Sequence, residues 1–261
     1  MKAKAIDILV LFVLFVISNI YFFLNIHSAT ILLGSFVFLL PPMIYLSFRK
    51  KKDWFKILIT AMVIGIIIGV PFTFLGELTN AWTIHDKKFR FYDSFYLPVI
   101  LGWMLMSSLT IIIYQHVYDS NIEIKTLSKR FKKVIFILSL FSFLLTLLTL
   151  MCFMNPSFFT KKYSYAIIGI INIIPFLYYL IKRPKFILNI TPIISYFFLV
   201  YFSMEYIGLT NDLWSFKGSY IGVVSFFRIT FPIEEFVYWM ILFSPSVLCF
   251  YNSVVAVNRE I

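Results

Sequence analysis

Runs of about twenty apolar residues follow one another almost from end to end of this chain, each long enough to cross roughly 30 Å of hydrocarbon as a helix. Backbone groups inside a bilayer have no water to bond, so a spanning segment must satisfy them within a helix or a closed barrel. These Ile-, Leu-, Phe- and Val-rich runs lack the alternation of a barrel strand. With 61% hydrophobic and only 13% charged residues, the chain reads as an all-α polytopic membrane protein. About eight transmembrane helices are expected, near 6–24, 30–48, 57–76, 97–117, 134–154, 164–181, 188–206 and 231–250. The first run follows Met1-Lys2-Ala3-Lys4 and has the charged start of a signal peptide. It is too long for an h-region and lacks a small-residue cleavage site, so it is read as a retained helix.

The formal charge of +11 does not point to nucleic acid, because the basic residues sit in short clusters between apolar runs, as topology signals do. The richer side holds Lys2, Lys4 and the clusters at 49–52, 129–133 and 182–185, whereas the other holds Lys87, Lys88, Arg90, Lys161, Lys162, Lys217 and Arg228. The richer side is expected to be cytoplasmic, with both termini on it, in an integral protein of the cell membrane. Cys152 and Cys249 both fall in apolar runs, which favours buried thiols over a disulfide or zinc site. His27, His85 and His116 have no metal-ligand spacing, Asp93 and Asp119 stand outside any paired-acid motif, and no phosphate- or dinucleotide-binding loop is present. No cofactor and no metal are expected.

This topology puts the two longest polar connections, 77–96 and 207–230, on the same non-cytoplasmic face. They resemble each other: Leu78-Thr79-Asn80-Ala81-Trp82 returns as Leu209-Thr210-Asn211-Asp212-Leu213-Trp214, and each is followed by a proline opening the next helix, Pro98 and Pro232. A tandem repeat of four-helix units follows: an N-terminal membrane repeat over 1–117, a basic cytoplasmic linker over 118–133 and a C-terminal membrane repeat over 134–261. Repeats running in the same direction are related by an axis along the membrane normal, with a site expected between them.

The residues most costly to keep in such a membrane are Glu234 and Glu235, next to Pro232. An ionisable residue in hydrocarbon is a functional candidate by default, against the plainer reading of two solvated first-turn residues at the membrane edge. The helix dipole favours their ionisation, while desolvation and mutual repulsion oppose it. One ionised and one protonated carboxyl are expected, the arrangement a general acid beside an electrostatic stabiliser requires. Glu77 and Glu205 each lie near the end of a helix entering a Leu-Thr-Asn loop, either facing the same cavity or snorkelling at the interface. Asp212 is a further acid or a loop cap. Trp82, Trp103, Trp214 and Trp239 belong to the repeated segments. At helical spacing Glu235 shares a face with Trp239, and Glu234 with Tyr238. Electron-rich rings in a dry site stabilise a cation.

The segment Asn211-Asp212-Leu213-Trp214-Ser215-Phe216, then Gly222, then Phe231-Pro232-Ile233-Glu234-Glu235-Phe236 resembles the membrane-integral lycopene cyclase domain of bacteria, archaea and fungi. In that family an Asp…Trp-x-Phe/Tyr loop leads to a Pro-x-Glu-Glu motif opening a helix. The first half, with Gly76-Glu77-Leu78 and Pro98…Gly102-Trp103-Met104, is faintly similar to the related carotenoid hydratases and lacks the two acids. The resemblance implies redox-neutral cyclisation of a linear lycopene end: protonation of the terminal double bond, ring closure through a tertiary cation and loss of a proton. It implies Glu234, Glu235, Asp212 and Glu77 as catalytic residues. Trp82, Trp103, Glu205, Asn211, Trp214, Phe231, Tyr238 and Trp239 would bind substrate. The implied partners are a lipid-dissolved, lycopene-like linear carotenoid, membrane lipids and other carotenoid-pathway enzymes. Alternatives are a hydratase that captures the same cation with water and a membrane protein that binds a carotenoid or polyprenoid without converting it. A Glu-Glu intramembrane protease of the CAAX type also begins this way, but Tyr238 stands where its arginine is usual.

Overall fold

A computed structural model describes residues 2–49, 54–86, 90–91, 95–118, 143, 147, 150–151, 154–155 and 163–255. It is mostly helical: α1 (Lys2–Leu24), α2 (Ile31–Arg49), α3 (Trp54–Leu78), α4 (Leu97–Tyr118), α5 (Ser164–Lys182), α6 (Phe186–Thr210), a π-helical segment (Glu235–Ile241) and α7 (Phe243–Val255). Among the described residues, four helices are long and apolar enough to cross a membrane, within α1, α2, α4 and α6. The span expected at 134–154, like Cys152, Asp93, Asp119 and the linker 118–133 apart from Tyr118, lies wholly or almost wholly outside the described residues.

The two long connections are not plain loops. The first carries β1 (Thr83–Ile84), β2 (Arg90–Phe91) and β3 (Phe95–Tyr96), and the second β4 (Trp214–Ser215), β5 (Val223–Phe226) and β6 (Ile229–Pro232). β2 pairs with β3 and β5 with β6 as local antiparallel hairpins, while β1 pairs with β4 across the molecule, Thr83 opposite Ser215. The helix expected at 231–250 therefore starts later. Pro232 closes β6, opposite Val223, a strand-end position where its missing donor is harmless, and the π segment begins at Glu235.

Glycine sets how closely the helices and loops approach. Gly65 and Gly69 on α3 form a small-xxx-small face against α4. A Cβ on Gly65 would lie 2.8 Å from the Met104 backbone, and one on Gly69 would enter the Trp103 ring. Further along, a Cβ on Gly76 would overlap the Trp82 ring and one on Gly208 the Trp214 ring. α3 and α6 end alike: Ala81 N–H bonds Gly76 O at 2.8 Å and Leu213 N–H bonds Gly208 O at 2.9 Å. Asn80 and Asp212 supply the left-handed residue, at φ 54° and 52°. That conformation is tolerated by Asn and Asp.

α2 contains Pro41 and Pro42, which remove two backbone donors. Pro41 frees the Val37 carbonyl, and the buried Ser18 hydroxyl of α1 donates to it at 2.8 Å, the repair expected where no water is at hand. At the end of the bundle opposite the hairpins, Asp7 of α1 is buried and accepts from Tyr45 Oη (2.6 Å), Arg49 Nε (2.9 Å) and His116 Nε2 (2.8 Å). At the hairpin end, Asp86 Oδ2 accepts the Ile31 N–H at 2.9 Å, capping α2 from the first connection.

Gly76→Ala and Gly208→Ala are each expected to lower stability by about 1–3 kcal/mol, the usual cost of overpacking, despite alanine's better helix propensity. Gly34→Ala, where nothing lies within 4 Å of the added methyl, should not. Thermal melts of the detergent-solubilised variants measure the contrast.

Candidate functional site

Between α2, α3, α4, α5, α6 and the π segment lies a cavity of about 130 Å³ with an almost wholly apolar lining. Its polar feature is a pair of buried carboxyls, Glu205 of α6 and Glu235 at the start of the π segment. The two carboxyls lie close enough to interact directly, and at that range burial and mutual repulsion favour one proton held between them. Tyr165 of α5 donates its hydroxyl to Glu235 Oε2, and Trp214 Nε1 donates to Glu205 Oε1 at 3.0 Å. Four elements thus converge on one carboxyl pair.

The wall around the pair is aromatic. Phe216 stacks on Tyr165 (6.4 Å), Tyr165 meets the edge of Trp82 (5.0 Å), and Trp82 lies on Phe72 (4.8 Å). Phe72 meets Trp103 edge-on (5.4 Å), and Trp103 meets Trp239 (4.8 Å). Trp103 is fixed by its Nε1–H, which donates to Thr73 Oγ1 at 3.0 Å. Such rings present both faces and edges, and each face offers about 2 kcal/mol to a cation in a dry site.

The structure divides the sequence-expected residues. Glu205, Glu235, Trp82, Trp103, Trp214 and Trp239 line the cavity together. Glu234 is buried too, but its Oε1 accepts the Ile221 N–H at 2.7 Å, and its Oε2 has no hydrogen-bond partner among the described residues. The adjacent acids therefore diverge, and the partner of Glu235 is Glu205. Tyr238 packs against Gly169 and borders a smaller void with Ile173, Phe243 and Ser246. Glu77 Oε1 accepts the Ile84 N–H at 3.3 Å, Asn211 Nδ2 caps the end of α6 through Ile207 O, and Phe231 is packed near Phe202. None of these four, nor Glu234, lines the main cavity.

Asp212 is 84% exposed, 3.9 Å from His85 Nε2, the same ring nitrogen that meets Ser215 Oγ at 2.7 Å. With both contacts on one nitrogen, the trio cannot relay a proton as a Ser-His-Asp triad does. Among the described residues no group of three or more His, Cys, Asp and Glu side chains is placed to hold a metal ion.

Sequence reasoning missed Tyr165, Phe72, Thr73 and the α2 face of Gly34, Ser35 and Phe38, which all line the cavity. Tyr165 sits in a stretch with no motif spacing. Phe216 was in view only through the Trp-x-Phe resemblance.

Comparison with family models, with curated proteins and with solved structures finds no match for the chain.

Outside the membrane helices, the Tyr220 hydroxyl joins the two connections, donating to Ala81 O at 2.8 Å and accepting from Gly218 N–H at 2.6 Å. Burial pushes it up to about 12; the Gly218 N–H opposes the rise and the Glu234 and Glu235 carboxyls add to it. A group whose folded value lies above its unfolded value of about 10 contributes stability that is complete below pH ~10 and lost as pH rises towards ~12. The stability difference between wild type and Tyr220→Phe should accordingly narrow across that window, as read from thermal melts in alkaline buffers.

Proposed function

We propose that the protein is an eight-span membrane enzyme of two four-helix repeats, with both termini cytoplasmic, that cyclises the end of a linear, lycopene-like carotenoid. The observation that carries this reading is the buried Glu205–Glu235 carboxyl pair set in an aromatic, otherwise apolar cavity. An acid in a dry site has few substrates it can protonate, and an alkene dissolved in lipid is one that needs no polar binding groups.

The chemistry balances without a cofactor. The shared proton adds to the terminal double bond of the polyene and leaves a tertiary cation. The internal alkene then attacks it, forming the carbon–carbon bond of a six-membered ring and moving the positive charge onto the ring. The ionised carboxyl pair removes a proton from the adjacent carbon, which restores both the ring alkene and the acid. Trp82, Trp103, Trp214, Trp239 and Phe72 surround the cation throughout. Tyr165 and Trp214 hold the pair by donating to Glu235 and Glu205, steadying the negative charge after transfer. Glu234, which accepts the Ile221 N–H just before β5, orients the start of the π segment.

The repeat is supported by the matched ends of α3 and α6. Gly76, Asn80, Trp82 and Thr83 have the same local roles as Gly208, Asp212, Trp214 and Ser215. The correspondence sets Asn80 against Asp212, one residue on from the sequence match to Asn211. Because Thr83 pairs antiparallel with Ser215, the equivalent residues meet each other, as a two-fold axis between the halves requires. On this reading the halves differ in acid content: Thr73 stands where the second half has Glu205.

Expression in cells that accumulate lycopene tests the proposal by pigment chromatography. Wild type is expected to yield cyclic carotenoid, and Glu205→Gln and Glu235→Gln each to lower conversion by about 10²-fold or more, the typical share of general acid–base catalysis. Glu234→Gln, which keeps an acceptor for Ile221, should lose far less. Unconverted lycopene co-purifying with wild type would identify a binding protein instead, and a product heavier by one water a hydratase. Full turnover in both Gln variants would remove the pair from the mechanism.

A further inference from the structure

The cavity is small for the molecule it is proposed to act on. At about 130 Å³ it matches the scale of a cavity of roughly 150 Å³ that binds a single benzene, so it holds one ring-sized end group and not a whole polyene. The rest of the chain must lie elsewhere. The carboxyl pair is contributed by α6 and the π segment, whereas Thr30, just before α2, and Ile31, Gly34 and Phe38 of α2 supply the α2 side of the lining.

At that side α2 packs along α4 and only sparsely against α6, although Met204, Ile207 and Gly208 of α6 line the same cavity. Gly34 lies there, partly exposed, and a Cβ on it would find no atom within 4 Å. The contrast with Gly65, Gly69, Gly76 and Gly208 is informative, since each of those has a neighbour that excludes a side chain. A helical glycine that no packing demands weakens the helix and leaves room for something that is not part of the chain.

We infer that an acyclic polyprenoid enters end-on through the seam between α2 and α6, and that the part of it beyond the end group passes Gly34 into the lipid. This rests on the cyclisation reading of the same site. It makes the end group the recognised unit, whatever the length of the chain behind it.

The test compares lycopene with a short acyclic terpene hydrocarbon that carries the same end group, both supplied to membranes containing wild type or the series Gly34→Ala, Gly34→Val and Gly34→Phe. The ratio of long-chain to short-chain conversion should fall stepwise with side-chain size, by about tenfold or more at Phe, the scale on which small volume changes in an apolar pocket discriminate. Ile17→Phe, on the exposed face of α1, should leave both rates unchanged. If Gly34→Phe does not accumulate, the Ala and Val members carry the trend. A ratio independent of size would overturn the inference, as would a wild type that converts lycopene but not the short probe. A wild type that converts neither would overturn the cyclisation reading and this inference with it.

Discussion

A carboxyl taken out of water must find a donor or a proton, and in this protein that requirement links the pieces of the site. Glu205 is almost fully buried on α6. It accepts from the Trp214 indole on the connection that follows and faces Glu235 on the π segment. Glu235 in turn takes the Tyr165 hydroxyl from α5. None of these groups can be buried alone without an unmet polar atom. The aromatic wall has a separate origin, because it depends on glycines that let Trp82, Trp103 and Trp214 lie against helix backbones. Polar satisfaction places the acid and steric permission places the rings.

The sequence made the helices legible because hydrocarbon imposes a length and a composition, and the expected ends of α2, α4 and α5 lie within a residue of those found. It was less informative where lipid stops dictating. Pro232 reads as a helix start in one dimension and is the last residue of a hairpin strand in three, since the pairing of β5 with β6 depends on turn geometry and not on periodicity. The Glu-Glu doublet was visible, but adjacency in sequence suggests partnership. Glu234 accepts instead from Ile221, and Glu235 accepts from Tyr165 on another helix and lines the cavity with Glu205.

Glu205 and Glu77 were indistinguishable by sequence, each being a lone acid near the end of a similar helix. Glu205 lies just below the end of α6, on the face turned to the cavity, while Glu77 bonds the strand beside it. Asp212 carried the look of an acid in a motif, and its position is explained by backbone conformation: it is the left-handed residue that ends α6, as Asn80 is for α3. Tyr165 left no trace to follow, because one tyrosine in an apolar run becomes informative only when its partner is known.

The fastening of α2 has a mechanical consequence. Asp86 holds its first turn and Asp7 holds its last, through Tyr45 and Arg49. A rod pinned at both ends cannot swing aside as a unit. It can only bow, and the place of least resistance is Pro41-Pro42, where two rungs of the hydrogen-bond ladder are already missing. Ser18 bridges the freed Val37 carbonyl from α1, so any bowing of α2 is felt by α1. The first helix, largely exposed, is thereby tied to the wall that faces the cavity, and a displacement of one must be shared by the other.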